Sequence, residues 1–192
     1  MTPPNLTSKI NFPNQTDPIA LFSEWFMEAK NCGIALHESM ALSTSTPDGI
    51  PSSRMVLLKN FDAEGFVFFT NYNSRKAREI VSNPKASLLL HWPTLERQIR
   101  IEGSVTQTST EESHSYFRTR DRGSQVGAWA SKQSVVIKNR SDLILSIQEY
   151  QKKYNDKNNV PRPKHWSGWN LLPSSIEFWL DGDNRIHERL KY

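Results

Sequence analysis

Residues 39–71 read SMALSTSTPDGIPSSRMVLLKNFDAEGFVFFTN, and this stretch decides the fold. Its apolar residues recur with a period close to two, the spacing at which side chains alternate along a β-strand. The pattern predicts three strands, at 39–46, 52–60 and 65–71. A Pro-Asp-Gly triplet at 47–49 and an Asp-Ala-Glu-Gly segment at 62–65 supply the turns between them. Consecutive strands joined by tight turns predict an antiparallel sheet.

The rest of the chain surrounds these strands with helices and further strands. Asp17-Pro18 is a helix-start signal, and the apolar spacing that follows predicts a helix to about Lys30. Helices are also predicted at 75–82, from Ser109 through about Arg120, and at roughly 141–154; strands are predicted at 85–92, 97–107, 175–180 and 184–190. We therefore predict a mainly β protein with peripheral helices, an antiparallel barrel formed as a single domain over 17–192. Residues 1–16 are polar and rich in Pro and Asn, which predicts a flexible N-terminal arm.

Composition excludes several classes of protein. The 192 residues carry 24 basic and 20 acidic side chains, and a net charge of +4 is too small and too dispersed to predict a nucleic-acid partner. No apolar run is long enough for a membrane span or a signal peptide, so we expect a cytoplasmic protein without a membrane partner. A single cysteine and five histidines without metal-ligand spacing predict no metal site. The dinucleotide, Walker and serine-hydrolase glycine motifs are also missing from the sequence.

Two clusters of cations accompany features that could hold an anion. Arg75 and Lys76 follow Ser74 at a predicted helix start, where free N–H groups and the helix dipole favour a phosphate. A solvated helix start is the alternative. Arg54 and Lys59 bound four apolar residues, and strand periodicity points them to opposite faces. They could serve different anions, or they could be the two wet ends of a buried strand.

Polar groups also gather at two later positions. Arg185, His187 and Arg189 alternate along a predicted strand and share one face, where they repel one another unless a ligand or carboxylate lies over them. Tyr116, Arg120 and Ser124, at spacings of four, would share one side of a continuous helix, although Gly123 is expected to break it. A phenol, a guanidinium and a hydroxyl are typical donors to an oxyanion. The amides of Gln98 and Gln133, with Ser134, could bind a heteroaromatic edge or could be satisfied core groups.

Taken together, these segments resemble the pyridoxamine 5′-phosphate oxidase family from about Asp17 to the end of the chain. The segments that carry the resemblance are RMVLLK (54–59), NYNSRKA (71–77), TLERQIRIEG (94–103), SQVGAWASKQS (124–134), IEFW (176–179) and RIHER (185–189). The resemblance implies an FMN-binding split β-barrel and a homodimer with FMN at the interface. It also implies oxidation of pyridoxamine or pyridoxine 5′-phosphate to pyridoxal 5′-phosphate, with O2 as acceptor, H2O2 as product and ammonia released from the amine.

The family's site residues carry over onto matching positions of this chain. The resemblance implies that FMN is held by Arg54, Met55, Val56, Leu57, Leu58, Lys59, Phe69, Thr70, Arg75, Lys76, Gln98, Gln133, Ser134, Trp179 and Arg189. It implies that the substrate meets Lys59, Tyr116, Arg120, Ser124, Arg185, Ile186 and His187. Arg185 and His187 are the predicted catalytic pair, which would orient the pyridine ring and help to manage the C4′ proton.

Three departures from the family pattern affect these expectations. Phe69 stands where the family commonly has Tyr, which removes one hydroxyl contact to flavin. The N-terminal arm is short and lacks the residues with which relatives cover the substrate. The chain ends at Tyr192, where relatives continue into another strand, so we expect the family's C-terminal strand to be missing. The alternative function is therefore a flavin- or pyridoxal-phosphate-binding protein of the same fold with weak or no oxidase activity.

Overall fold

One curled antiparallel sheet dominates the computed structural model, which describes residues 12, 16–155 and 159–192. Its strands within those residues are β1 (Ser39–Ser45), β2 (Pro51–Leu57), β3 (Asn60–Asp62), β4 (Gly65–Asn71), β5 (Lys85–Trp92), β6 (Arg97–Gln107), β7 (Trp166–Leu180) and β8 (Glu188–Lys191). Their order is β2-β1-β5-β6-β7-β4-β3, and β8 pairs with β7. The predicted antiparallel, mainly β architecture is confirmed.

Helices pack on and around the sheet. They are α1 (Pro18–Asn31), α2 (Arg75–Ser82), α3 (Thr110–Thr119), α4 (Arg122–Ala130) and α5 (Arg140–Lys153). Helix α1 begins as predicted, because the Asp17 carboxylate accepts a hydrogen bond from the Ile19 N–H at 2.8 Å. Among the described residues, no helix is both long and apolar enough to cross a membrane. The predicted arm lies outside the described residues except for Phe12 and Thr16, and the Phe12 ring stacks on Trp25.

The described residues form two separate hydrophobic cores. The larger fills the curl of the sheet, where Phe22 of α1 meets Phe66 of β4 edge to face, and Trp25 meets Phe178 of β7 in the same way. Each such fully buried side chain contributes about 1.5–3 kcal/mol relative to exposure. The smaller core joins α4 to α5 and the segment after it through Val126, Tyr154 and Val160.

The longest strand differs from its predicted extent. β7 begins at Trp166, not at residue 175, and its first half pairs with β4. Pro173 lies inside it, and proline usually argues against a strand. The strand tolerates Pro173 because the β6–β7 register shifts at Glu102/Gly103, next to Pro173. A Cβ on Gly103 would lie 2.0 Å from the Leu172 carbonyl oxygen, so this irregularity needs glycine.

Two further predictions were wrong. The helix break lies at Arg120–Asp121, not at Gly123, because the Asp121 carboxylate caps a new helix by accepting from the Ser124 N–H at 2.8 Å. The predicted strand at 184–190 forms only from Glu188, since Asn184 and Arg185 adopt left-handed conformations with φ of 57° and 63°. Arg185, His187 and Arg189 therefore do not share one strand face.

Candidate active site

A cavity of about 420 Å³ lies between β2, β4 and helices α2, α3 and α4. Residues that the sequence singled out form much of its wall: Met55, Val56, Leu57, Lys59, Phe69, Thr70, Lys76, Tyr116, Arg120, Ser124 and Gln133. Asn71, Gly127, Ala128, Ser131 and Trp166 complete the lining. Residues from distant parts of the sequence thus meet in one cleft of the size typical of ligand sites.

Lys76 is the buried cation at one end of this cavity. The residue is only 7% exposed, and its Nζ donates to Thr70 Oγ1 at 3.2 Å and to Gln133 Oε1 at 3.1 Å. Burial and the nearby Arg54 charge lower the pKa of Lys76 to about 8. Ser74 stands at the predicted N-cap position of α2, but its hydroxyl accepts from Lys76 instead of capping the helix.

Glu79 lies behind Lys76 and binds two arginines. Its Oε1 accepts from Arg75 Nε at 2.8 Å, and its Oε2 lies 3.5 Å from Arg54 Nη2. Thr44 and Ser52 donate their hydroxyl protons to the same Oε2, each at 2.5 Å. Burial alone would raise the pKa of Glu79, but these hydrogen bonds outweigh it and lower the pKa to about 2.

Arg120 is the cation of another part of the cavity lining (the Arg120 end). Its guanidinium lies over the Trp166 ring, 4.7 Å from the centroid, and burial lowers its pKa without removing its charge. Its Nη1 is buried and has no hydrogen-bond partner in the described part of the chain. A buried charged donor without a partner is a feature expected of a ligand site. Tyr116 and Ser124 line the cavity beside it, on α3 and α4.

Three aromatic rings form an apolar wall near Arg120. Phe69 lies 4.2 Å from Tyr116 and 5.3 Å from Trp166 between ring centroids, with interplanar angles of 22° and 9°. Gly168 pairs with Phe69 across β4 and β7, and a Cβ there would lie 2.7 Å from the Phe69 ring. The wall therefore depends on glycine at that position. A flat ligand ring can pack against such a surface.

The remaining predicted residues lie outside this lining. Arg54 and Arg75 bind Glu79 behind the cavity, and the Ser134 hydroxyl accepts from the Arg75 N–H at 3.2 Å. The Leu58 side chain belongs to the main core. The others form a second group, the tail group, at the far end of β7: Gln98, Trp179, Arg185, Ile186, His187 and Arg189.

Strand pairing, a ring contact and a histidine–aspartate contact link members of the tail group to one another and to Asp181. Trp179 pairs with Gln98 on one side and with Arg189 on the other. The His187 ring packs 4.6 Å from the Trp179 ring, and its Nδ1 lies 2.8 Å from Asp181 Oδ1. Trp166 and Trp179 lie thirteen positions apart in β7, a distance of up to about 40 Å along an extended strand. Within one chain, the tail group and the cavity are therefore apart.

Known proteins resemble this chain over almost its whole length. The family model described as pyridoxamine 5′-phosphate oxidase matches residues 26–154, and a second, the pyridoxine 5′-phosphate oxidase C-terminal dimerisation region, matches residues 166–192. The chain belongs to the pyridoxamine 5′-phosphate oxidase family. A pyridoxine/pyridoxamine 5′-phosphate oxidase of Pelagibacter ubique is 56% identical, over 94% of this chain and 87% of that protein. The Colwellia psychrerythraea protein of the same name is 52% identical, over 92% and 81%.

Solved structures add a comparison of folds. PhzG of Burkholderia lata 383, in complex with tetrahydrophenazine-1-carboxylic acid, superposes with a TM-score of 0.89 at 30% identity, covering 96% of this chain and 92% of that one. A Nostoc punctiforme FMN-binding protein related to pyridoxamine 5′-phosphate oxidase gives 0.67 at 14% identity, over 93% and 98%, which supports the fold alone. The predicted family and its split-barrel fold are confirmed.

Apart from Gln98, the tail group lies within the part of the chain that matches the family's dimerisation region. Trp179, Arg185, His187 and Arg189 all fall within the dimerisation region at 166–192. Residues placed there can lie near a second copy of the chain, even though they are remote from the cavity of their own chain.

Sequence reasoning missed three side chains that lie in or beside the candidate site and the tail group. Glu79 follows Arg75 by four residues on α2, so helical spacing could have indicated this ion pair. Trp166 was missed because the start of β7 was placed too late. Nothing in the local sequence pattern indicates the contact of Asp181 with His187.

Proposed function

We propose that this protein is an FMN-dependent oxidase that converts pyridoxamine and pyridoxine 5′-phosphates to pyridoxal 5′-phosphate in vitamin B6 synthesis and salvage. O2 is the acceptor, H2O2 is released, and the amine substrate also yields ammonia. The observation that carries this proposal is the pair of separate cations in the lining of one cavity, Lys76 and Arg120, with stacked aromatic rings in the same lining. Such a cavity suits two phosphate esters with flat rings between them.

The Lys76 end fits the phosphate of FMN. Arg54, Arg75 and Lys76 carry three positive charges, and Glu79 carries one negative charge, which leaves a surplus of two. A phosphomonoester dianion would neutralise this surplus. The Lys76 ammonium would bind one phosphate oxygen, and the guanidinium of Arg75 would offer paired N–H donors. Thr70 and Gln133 hold Lys76 in place for this role.

The Arg120 end fits the substrate phosphate. The unpartnered Nη1 of Arg120 would donate to a phosphate oxygen, and the hydroxyls of Tyr116 and Ser124 would add neutral donors. Lys59 lines the same cavity, and its Nζ lies 3.7 Å from Glu38 Oε1, which limits its motion. The apolar wall of Phe69 and Trp166 would exclude water from this part of the site.

The tail group would complete the site from a second copy of the chain, in a homodimer with FMN at the interface. Bound FMN supplies the hydride acceptor and the reaction with oxygen. Arg185 and His187 would orient the pyridine ring. His187 Nδ1 lies 2.8 Å from Asp181 Oδ1 and 3.3 Å from the Gly182 nitrogen. In the tautomer whose Nδ1 donates to Asp181, Nε2 would be left to accept a proton near C4′. Gln98, Trp179 and Arg189 would contact the flavin.

The test is a spectrum of the purified protein reconstituted with FMN. We expect pyridoxamine 5′-phosphate to bleach the flavin band without oxygen, and air to restore it with formation of H2O2 and pyridoxal 5′-phosphate. FMN that binds but is not bleached by either vitamer phosphate would contradict the oxidase proposal and support the binding-protein alternative. Tetrahydrophenazine-1-carboxylic acid, the ligand of PhzG, serves as the comparison compound because it carries a carboxylate and no phosphate. Bleaching by this compound alone would also contradict the proposal.

A further inference from the structure

We propose that Glu79 is a positioning residue for the cofactor phosphate, which fixes Arg54 and Arg75 in their binding arrangement before FMN arrives. The inference rests on the proposed function, because it takes the FMN phosphate to be the anion at the Lys76 end of the cavity. Glu79 itself would not touch the cofactor.

The carboxylate of Glu79 is fully engaged by the protein. The residue is 4% exposed, and both of its oxygens accept hydrogen bonds, those to Oε2 from strands that are distant in sequence. Thr44 comes from β1, Ser52 and Arg54 come from β2, and Arg75 comes from its own helix. Glu79 therefore joins the start of α2 to the edge of the sheet.

The two arginines depend on Glu79 to different degrees. Arg54 is largely buried, and it also donates to the Thr44 hydroxyl at 2.6 Å and to the Leu42 carbonyl at 3.1 Å. The Arg75 side chain is 54% exposed, and among the described residues Glu79 is its single side-chain partner, through Nε. The Nη donors of Arg75 are left for a ligand, while Nε fixes their direction.

Two effects of Glu79 on phosphate binding have opposite signs. Its negative charge repels a phosphate, so its neutralisation should strengthen binding if only charge matters. Its hydrogen bonds order the guanidiniums in advance, so their loss should weaken binding because the arginines must then be ordered by the ligand. The low pKa of Glu79 keeps the carboxylate charged at every pH at which the protein would work. The buried, fully hydrogen-bonded geometry favours the second effect.

The test compares FMN with riboflavin, which lacks the phosphate, on apo-protein carrying Glu79→Gln. Flavin binding is followed by fluorescence quenching, and Glu24→Gln on the exposed face of α1 is the matched control. We expect the FMN Kd of Glu79→Gln to rise about tenfold or more, the riboflavin Kd to stay within about twofold, and Glu24→Gln to match wild type. In an Arg75→Ala background, the additional effect of Glu79→Gln on FMN should shrink, because the two residues act through one contact.

Each other outcome overturns the inference in a distinguishable way. Tighter FMN binding by Glu79→Gln, with riboflavin unchanged, would mean that Glu79 acts only by its charge. An equal loss of FMN and riboflavin affinity would mean that it supports the fold and not the phosphate site. If wild-type protein bound FMN no better than riboflavin, the cofactor-phosphate assignment itself would fail, and the inference would fail with it.

Discussion

Strand β7 connects two regions that hold positive charge differently. At the cavity end, Lys76 is 7% exposed and bonded to Thr70 and Gln133, and Arg120 is packed over Trp166. At the tail end, Arg185 is exposed, and the Arg189 side chain is 62% exposed and 4.0 Å from Glu177. The cavity cations are thus ordered within their own chain, whereas the tail cations lack comparable support. This difference is what we expect of the proposed site, in which one half, the tail group, comes from a second copy of the chain.

The largest expected effect on activity is that of replacing Arg120, one of the ordered cations of the cavity. Arg120→Ala should lower kcat/KM for pyridoxamine 5′-phosphate by about 100-fold or more, because a buried charged hydrogen bond to phosphate is lost. Arg120→Lys should recover only part of this loss, since an ammonium cannot bind in bidentate fashion. Steady-state kinetics measure both variants, and the FMN content of each is the control. A normal KM in Arg120→Ala would contradict the assignment of the substrate phosphate to this end.

Mixing variants tests whether the two halves come from different subunits. Arg120→Ala and Arg185→Ala should each be nearly inactive alone. Random exchange of subunits should restore about one quarter of wild-type activity, since half of the dimers are hybrids and each hybrid has one intact site. Activity is assayed after denaturation and refolding of the mixture, with each variant refolded alone as control. No recovery in hybrids shown to form would place both halves of the site in one subunit.

A pH titration addresses the buried cation directly. Lys76 in the apo-protein has a pKa of about 8, and a bound phosphate favours its charged form. Above that pH, FMN binding must be accompanied by protonation of Lys76, so affinity should fall by up to about tenfold per pH unit. Riboflavin binding should stay flat between pH 7 and 9, and Lys76→Met should abolish the slope for FMN. An equal slope for both flavins would exclude Lys76 as its cause.

The smallest expected effect is that of replacing Arg189, in the tail group, on the stability of the fold. Arg189→Ala should change the free energy of unfolding of the apo-protein by less than about 0.5 kcal/mol, because exposed ion pairs contribute little. Chemical denaturation measures it, with Phe178→Ala of the main core as the comparison, expected to lose about 3–5 kcal/mol. A large loss of unfolding free energy in Arg189→Ala would mean that Arg189 stabilises the fold of its own chain, and it would contradict the proposal that the tail group completes a site in a second copy.

The sequence predicted what depends on local pattern. Strands β1, β2 and β4, the start of α1 at Asp17 and the cations at the start of α2 follow from periodicity and helix-start signals. Strand β3 was not predicted, because the predicted strand at 52–60 ends at Leu57. Other features that the sequence did not predict depend on contacts between residues distant in sequence. Glu79 acquires its role only when folding brings Thr44 and Ser52 to it, and Pro173 is tolerated in β7 only because the β6–β7 register shifts beside it. The alternation of residue types at 184–190 also predicts a strand there, but Arg185 has a positive φ, which is not a strand conformation.

The existence of two cores has a mechanical consequence. Ser124 belongs to a helix anchored by the small Val126–Tyr154–Val160 cluster, whereas Lys76 belongs to a helix packed through Ala77 and Ile80 on the large core. Cooperative opening of the small cluster exposes far less apolar surface, so it requires less free energy than opening of the barrel. We therefore expect the α4 part of the cleft lining, which carries Ser124, to open more readily than the α2 part, which carries Lys76, so that ligand entry needs no rupture of the sheet.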